Sequence, residues 1–263
     1  MTADRKPIVL ITGASAGIGA ALADVFADNG HALVLIARRA PQLKALADAI
    51  EERGHARPRV MMLDLALPDA AARVEDELRE AGEEPQFIVN NAGFGLLGPA
   101  ASLDRVQQLA MIDLNVRLLT DLSLRFTDSL ARHKGGILNV ASVASFMPGP
   151  GMAVYHATKA YVLSFSEALY QELGAHGVRV TALCPGPVPT EFMARAGIPD
   201  DYFPQFLARS AERVARDGYN GLMRGKRVVL PGSANKAAAL LAQLLPRGLV
   251  FWLVRIFAHP GLK

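Results

Sequence analysis

The chain has one cysteine in 263 residues, Cys184. A lone thiol excludes an intramolecular disulfide and fits a reducing compartment, so a cytoplasmic protein is expected. Cys184 closes an apolar run and reads as core, not as a nucleophile. The six histidines are scattered without ligand spacing, so no metal site is expected. Basic residues never run longer than two, and net charge is only +3. With no aromatic residues interleaved among the basic ones, a nucleic-acid platform is excluded. No apolar run reaches the ~18–20 residues of a membrane span. Residues 1–7 lead straight into a strand too brief for the apolar region of a signal peptide, so none is expected.

What the chain does have is half its residues apolar, enough for a sizeable core. Short apolar runs at 8–11, 31–37, 59–63, 87–89, 136–141, 178–183 and 227–230 read as buried strands. Helical patterns alternate with them, among them 20–28, 41–54, 68–81, one long stretch at 103–132, and 211–223. This alternation predicts an α/β fold: a doubly wound, mostly parallel, Rossmann-like sheet between two helical layers. The expectation is a single domain over 1–263, with a loop-rich segment at 187–225 and an apolar helical tail at 234–258 broken by Pro246.

The first strand ends in Thr12-Gly13-Ala14-Ser15-Ala16-Gly17-Ile18-Gly19, and a helix follows. Strand, glycine turn and helix is the context in which such a motif predicts dinucleotide binding. Gly13 permits a sharp turn, Gly17 permits close approach of a pyrophosphate, and Gly19 permits tight helix-strand packing. The second strand ends in Ala37-Arg38-Arg39, with no carboxylate to accept a ribose hydroxyl. A guanidinium there suits a 2′-phosphate, so the cofactor expected is NADP(H). Arg38 is the leading partner, Arg39 assists from the rim, and Ser15 adds a hydroxyl. Asp64-Leu65 ends the third strand; Asp64 either meets an adenine amino group or caps the strand. Asn91, Ala92 and Gly93 form a second glycine-bearing turn, which lets backbone pass close to a flat ring.

The chemistry concentrates in residues 142–159. Tyr155 precedes Lys159 by four residues, so on a helix the two share a face. Free tyrosine titrates near ~10, and a neighbouring ammonium lowers that value. Such a pair also occurs as a plain amphipathic couple. Ser142, at the end of the 136–141 strand, is positioned to face the same point as Tyr155. Asn115 lies inside the 103–132 helical stretch; it either faces water or, buried, distorts the helix and holds an ordered water.

Together these segments resemble the short-chain dehydrogenase/reductase family, classical type, over about residues 7 to 232. The resemblance rests on 12–19, 90–93, Asn115, Ser142, 155–159, Pro185-Gly186 and Thr190. It implies that Tyr155 exchanges a proton with a carbonyl or alcohol oxygen. Ser142 would orient that oxygen. Lys159 would hold the nicotinamide ribose and lower the Tyr155 pKa, while Asn115 would anchor a water linking Lys159 to solvent. Val188 and Thr190 would meet the nicotinamide amide. One departure is Ala141, where many relatives carry a second serine.

The resemblance further implies a homo-oligomer, dimer or tetramer, pairing the helices at 103–132 and 150–174. The tail resembles that of a bacterial subgroup whose substrates are mostly undefined. An apolar pocket is expected from Phe94, Leu96, Leu97, Met147 and a lid at 191–209, favouring a small-molecule carbonyl or alcohol of hydrophobic character. That segment reads equally as a packing insertion or subunit contact. The tail is expected to cover the core, meet a partner subunit or rest on a membrane surface, in that order. A different class, a non-catalytic NADP-binding sensor or scaffold, would have no need of the Ser-Tyr-Lys set.

Overall fold

The computed structural model describes residues 5–199 and 201–257. The expectations for residues 1–4, for residue 200 of the lid and for residue 258 of the tail lie outside these. Strands β1 (Lys6–Thr12), β2 (Leu33–Ala37), β3 (Arg59–Met62) and β4 (Glu83–Asn90) alternate with helices α1 (Gly17–Asp28), α2 (Ala40–Glu52) and α3 (Ala70–Glu80). After β4 come α4 (Arg105–Ile112), α5 (Leu119–Arg125) and α6 (Thr127–Arg132), then β5 (Gly136–Val140), α7 (Ala153–Gly174) and β6 (Arg179–Leu183). The chain finishes with α8 (Glu191–Ala196), α9 (Ala211–Met223), β7 (Val228–Val229), α10 (Ser233–Leu244) and α11 (Arg247–Phe257).

All strands run parallel, in the order β3-β2-β1-β4-β5-β6-β7. A parallel sheet is covered on both faces, which is why its strands are continuously apolar. Along β1, Val9 and Ile11 join the core beneath α1 and α9, while Ile8 and Leu10 join the core beneath α3, α5 and α7. The strand order reverses between β1 and β4, and ligands of such sheets bind at that reversal, beyond the strand ends.

The single helix expected over 103–132 is three helices. A π-helical turn (Asp113–Leu118) separates α4 from α5, and Phe126 leaves helical geometry between α5 and α6. Both breaks have side-chain causes. Asn115 turns into the protein and bonds outside its helix. Ser129 Oγ donates to the carbonyls of Phe126 (3.2 Å) and of Pro85 in β4 (2.8 Å). Side chains that bond elsewhere pull helical carbonyls out of register.

The tail covers the core with one face only. Asn235 and Ala239 of α10 are buried, whereas Leu240, Leu241 and Leu244 are exposed. No described helix is long and apolar enough to cross a membrane. Among the described residues no cluster of His, Cys, Asp or Glu could hold a metal ion.

Candidate active site

The two glycine-bearing turns meet at the reversal between β1 and β4. Thr12 Oγ1 donates to the Val89 carbonyl (3.2 Å) and accepts from the backbone N–H of Asn91 (3.0 Å) and Ala92 (3.1 Å). Asn91 Nδ2 returns the tie to the carbonyls of Thr12 (3.0 Å) and Gly13 (3.1 Å). Asn91 therefore clamps the two turns together rather than projecting into the cleft. Gly13 turns at φ +67°, and a Cβ there would meet the Ala92 Cα at 2.9 Å. A Cβ on Gly19 would meet the Gly13 carbonyl oxygen at 2.4 Å, which no side chain tolerates. At the start of α1, Ala16 makes no side-chain cap and the first turn carries no acid. Its open N–H groups and positive dipole end fit a phosphate. This turn thus suits a dinucleotide.

On the other side of the reversal, Ser142 begins a short turn after β5, with its Oγ accepting from the Ala144 N–H at 3.1 Å. Tyr155 and Lys159 lie one turn apart on α7. The phenol meets the Ser142 hydroxyl. Lys159 is buried, and its Nζ donates to the Val140 carbonyl at 2.7 Å and lies 5.8 Å from the Tyr155 ring centroid. Asn115, 1 % exposed, accepts from the Phe94 N–H (3.1 Å) and donates to the Phe94 carbonyl (3.0 Å) and Thr158 Oγ1 (3.1 Å). The reading of Asn115 as a solvent-facing helix residue is thereby overturned. Gly93 makes room for it: a Cβ there would meet Asn115 Oδ1 at 2.8 Å and Lys159 Nζ at 3.7 Å. So Ser142, Tyr155, Lys159 and Asn115 gather beside the second glycine turn.

A family model described as short chain dehydrogenase matches residues 7–199. This chain belongs to that family. Its fold and class of chemistry, nicotinamide-dependent oxidation and reduction between alcohols and carbonyls, follow from membership. A sulfoacetaldehyde reductase of Chromohalobacter salexigens is 40% identical over 194 residues, covering 72% of this chain and 76% of that one. A solved short-chain dehydrogenase from Sphingobium yanoikuyae, in complex with NADPH, is 36% identical, with a TM-score of 0.80 over 89% of this chain and 92% of that one. The bulky-bulky ketone specific alcohol dehydrogenase of Comamonas testosteroni is 30% identical, with a TM-score of 0.75 over 92% and 96%.

Electrostatics in this short-chain dehydrogenase differ from the sequence expectation. Burial pushes the Tyr155 phenol up to about 12, with the Ser142 contact pulling it partly back. Burial also pulls the Lys159 ammonium down to about 8. The expected lowering of Tyr155 by Lys159 is absent, because the ammonium is turned to the Val140 carbonyl and desolvation dominates both groups. Burial likewise holds the Cys184 thiol up near about 12, leaving no thiolate at neutral pH.

The two arginines differ in what they touch. Arg38 is exposed and, among the described residues, has no hydrogen-bond or ion-pair partner. Arg39 folds back over the glycine turn, donating from Nε and Nη2 to Ser15 Oγ (3.3 and 3.1 Å) and pairing with Glu191 at 2.9 Å. Asp64 Oδ1 accepts from the Ala66 N–H at 3.0 Å, so it caps the end of β3, while Leu65 is buried. Ile18 packs on the core. The Pro185 carbonyl accepts from the Val143 N–H at 2.9 Å, joining the end of β6 to the Ser142 turn. Gly186 lies against Asn235, the Val188 side chain is in the core, and the Thr190 side chain lies against Gly17.

Four residues here were not singled out from sequence. Thr12 and Thr158 act through hydrogen bonds. His156 Nδ1 donates to the Met147 carbonyl (2.8 Å), with burial lowering its pKa and keeping it neutral. Glu191 meets Arg39. Only Thr158 and His156, by their position between Tyr155 and Lys159, carried a local signal. An apolar cluster lies beside Tyr155. Met152, Ala196 and Ile198 form its buried centre, with Leu97, Tyr155, Phe192, Met193, Tyr202 and Phe203 packed on it. Phe94, Leu96 and Met147 are not members of that cluster.

Proposed function

We propose that this chain is an NADP(H)-dependent carbonyl reductase, or in reverse an alcohol dehydrogenase, for substrates with an apolar body. It is read as one domain with a lid over 187–225. The observation that carries the reading is the convergence of Ser142, Tyr155 and Lys159 beside the two glycine turns, against an apolar cluster. The bound nicotinamide supplies or accepts the hydride. Tyr155, protonated at neutral pH, gives its proton to the substrate oxygen during reduction. Ser142 donates to the same oxygen and orients it. With cofactor and substrate bound, the Lys159 ammonium would turn from the Val140 carbonyl to the ribose and offset the charge left on the phenolate. Asn115 keeps the Phe94 turn and α7 in register, and a water anchored beside it would return the proton.

The apolar cluster of Phe192, Met193, Tyr202 and Phe203 around Tyr155 favours bulky ketones or aldehydes over a small charged one such as sulfoacetaldehyde. A panel spanning both, assayed with NADPH, tests this. Turnover of apolar carbonyls is expected. Tight NADPH binding with no turnover of any compound would leave the sensor reading instead.

Lys159 sets the pH profile. Its ammonium is lost as pH rises through about 8, whereas Tyr155, near about 12, keeps its proton throughout. The kcat/KM for reduction is expected to hold level below about pH 8 and to fall above it. A profile level to pH ~10, where unperturbed lysine titrates, would remove this role from Lys159.

For the cofactor, Arg39 leads and Arg38 assists. A 2′-phosphate must take Arg39 from Glu191. Glu191→Gln is expected to tighten NADPH about two- to fivefold, the range of an exposed ion pair, with NADH nearly unchanged. Arg39→Ala is expected to lower the preference for NADPH by about tenfold or more. Calorimetric titration of both dinucleotides checks each; equal effects on NADH would defeat the assignment.

A homo-oligomer is part of the same proposal. Val106, Leu109 and Ile112 of α4, Leu124 of α5 and Tyr161 of α7 are exposed apolar residues on the helices expected to pair. Light scattering is expected to give a mass of at least two chains.

A further inference from the structure

We propose that α10 and α11 form a docking face for an anionic phospholipid surface, on which the protein rests without crossing it. The argument starts from charge. All 25 acidic residues lie at or before Asp217. Beyond it the chain has seven Lys/Arg and no acid: Arg224, Lys226, Arg227, Lys236, Arg247, Arg255 and Lys263. The protein's small net charge therefore conceals an acidic body and a wholly basic end.

The same end carries an apolar surface. On α10, Leu240, Leu241 and Leu244 are 56%, 55% and 72% exposed. At 100° per residue they lie within one third of the helix circumference, opposite buried Asn235 and Ala239. On α11, Val250 is buried while Leu249, Phe251 and Trp252 are 42%, 51% and 56% exposed. Each helix thus has one face spent on the protein and a second apolar face turned outward. Lys236 and Arg247 are exposed on these two helices. Apolar side chains on one face, Trp among them, with basic residues at the margins, characterise helices that lie in a bilayer interface. Basic residues draw such a face to anionic lipid.

A second copy of the chain fits this face less well. Self-pairing would bring two all-basic ends together, and like charges across an interface oppose association. An anionic surface supplies the missing opposite charge.

The opposite, buried face of α10 holds the lid. Asn235 Nδ2 of α10 donates to the Leu207 carbonyl at 3.1 Å, and Leu207 belongs to the short lid turn that carries Phe206, 67% exposed. The docking stands whatever the substrate is.

Trp252 is the sole tryptophan, so its emission reports on this face alone. The full chain is titrated with vesicles of phosphatidylglycerol and phosphatidylcholine, and with phosphatidylcholine alone. A blue shift of Trp252 and co-sedimentation are expected with the anionic vesicles and not with the neutral ones. Leu241→Glu with Leu244→Glu is expected to weaken binding at least tenfold, with the circular dichroism spectrum and NADPH affinity unchanged. Lys236→Gln and Arg247→Gln, which disturb no packing, are each expected to weaken it about fivefold. An unmoved Trp252 spectrum with anionic vesicles would overturn the proposal, as would equal binding to neutral ones. So would a lipid-free assembly that the Leu241→Glu/Leu244→Glu variant dissolves while vesicles leave Trp252 unmoved; the occupant would then be a second copy.

Discussion

Tyr155→Phe is expected to keep NADPH affinity and lose turnover. The substitution removes one hydroxyl from a ring packed 5.5 Å from Phe192, so the apolar wall survives. What goes is the proton. A placed proton donor typically contributes ~10²–10⁴-fold, about 3–5 kcal/mol of barrier. The loss should appear in kcat with KM little moved, because the group acts in the transition state. Single-turnover kinetics on an apolar carbonyl found by the panel would measure it. A Phe variant within tenfold of the parent kcat would remove Tyr155 as proton donor. Ser142 would not take its place, since a serine hydroxyl is a far weaker acid.

Lys159→Met is expected to separate stability from function. The ammonium is buried, and burial already draws its pKa down to about 8. A methionine of similar length carries no charge to desolvate, which offsets loss of the charge-assisted bond to the Val140 carbonyl, itself worth about 1.5–3 kcal/mol. The melting temperature should therefore shift by about 4 °C at most, in either direction. Catalysis should not be spared. Removing a preorganised charge from beside a reacting group costs about 10²–10³ in kcat. NADPH affinity should fall about tenfold as the ribose contact goes. Thermal denaturation, calorimetric titration and kinetics on one preparation distinguish the three effects. If only turnover fell, the ribose role would be wrong. If the protein melted far below the parent, Lys159 would be a structural group and not a functional one.

The legible and the illegible parts of this site differ by range. Tyr155 and Lys159 were readable because a helix turns a four-residue spacing into one face. Gly13 and Gly19 were readable because only glycine permits the contacts that a strand-turn-helix junction forces. Asn115 was not. As a polar residue within a helical pattern it reads as a surface position, and only partners distant in sequence, the Phe94 backbone 21 residues away and Thr158 Oγ1 43 residues away, turn it inward. The π-helical turn follows from that contact, not from local propensity. Arg38 and Arg39 show the same limit in a smaller space. Sequence placed both beyond β2, but which of them lies over Ser15 depends on where Glu191 sits, and α8 is 152 positions downstream of Arg39.

Sequence by itself determined the sheet, the glycine turn, the absence of an acid at position 37 and the spacing of the Tyr-Lys pair. Each is set within one strand, turn or helix, where residue type and period act directly. The tertiary structure alone decided the electrostatics and the surfaces. It buried Tyr155 and Lys159 deeply enough that desolvation, not their mutual charge, governs their titration. It tied Arg39 to the start of the lid, and it turned three leucines of α10 outward while the opposite face met the core. The physical reason is the same in each case. Desolvation, ion pairing and exposure depend on what the remainder of the chain brings within a few ångströms, and no local pattern records it.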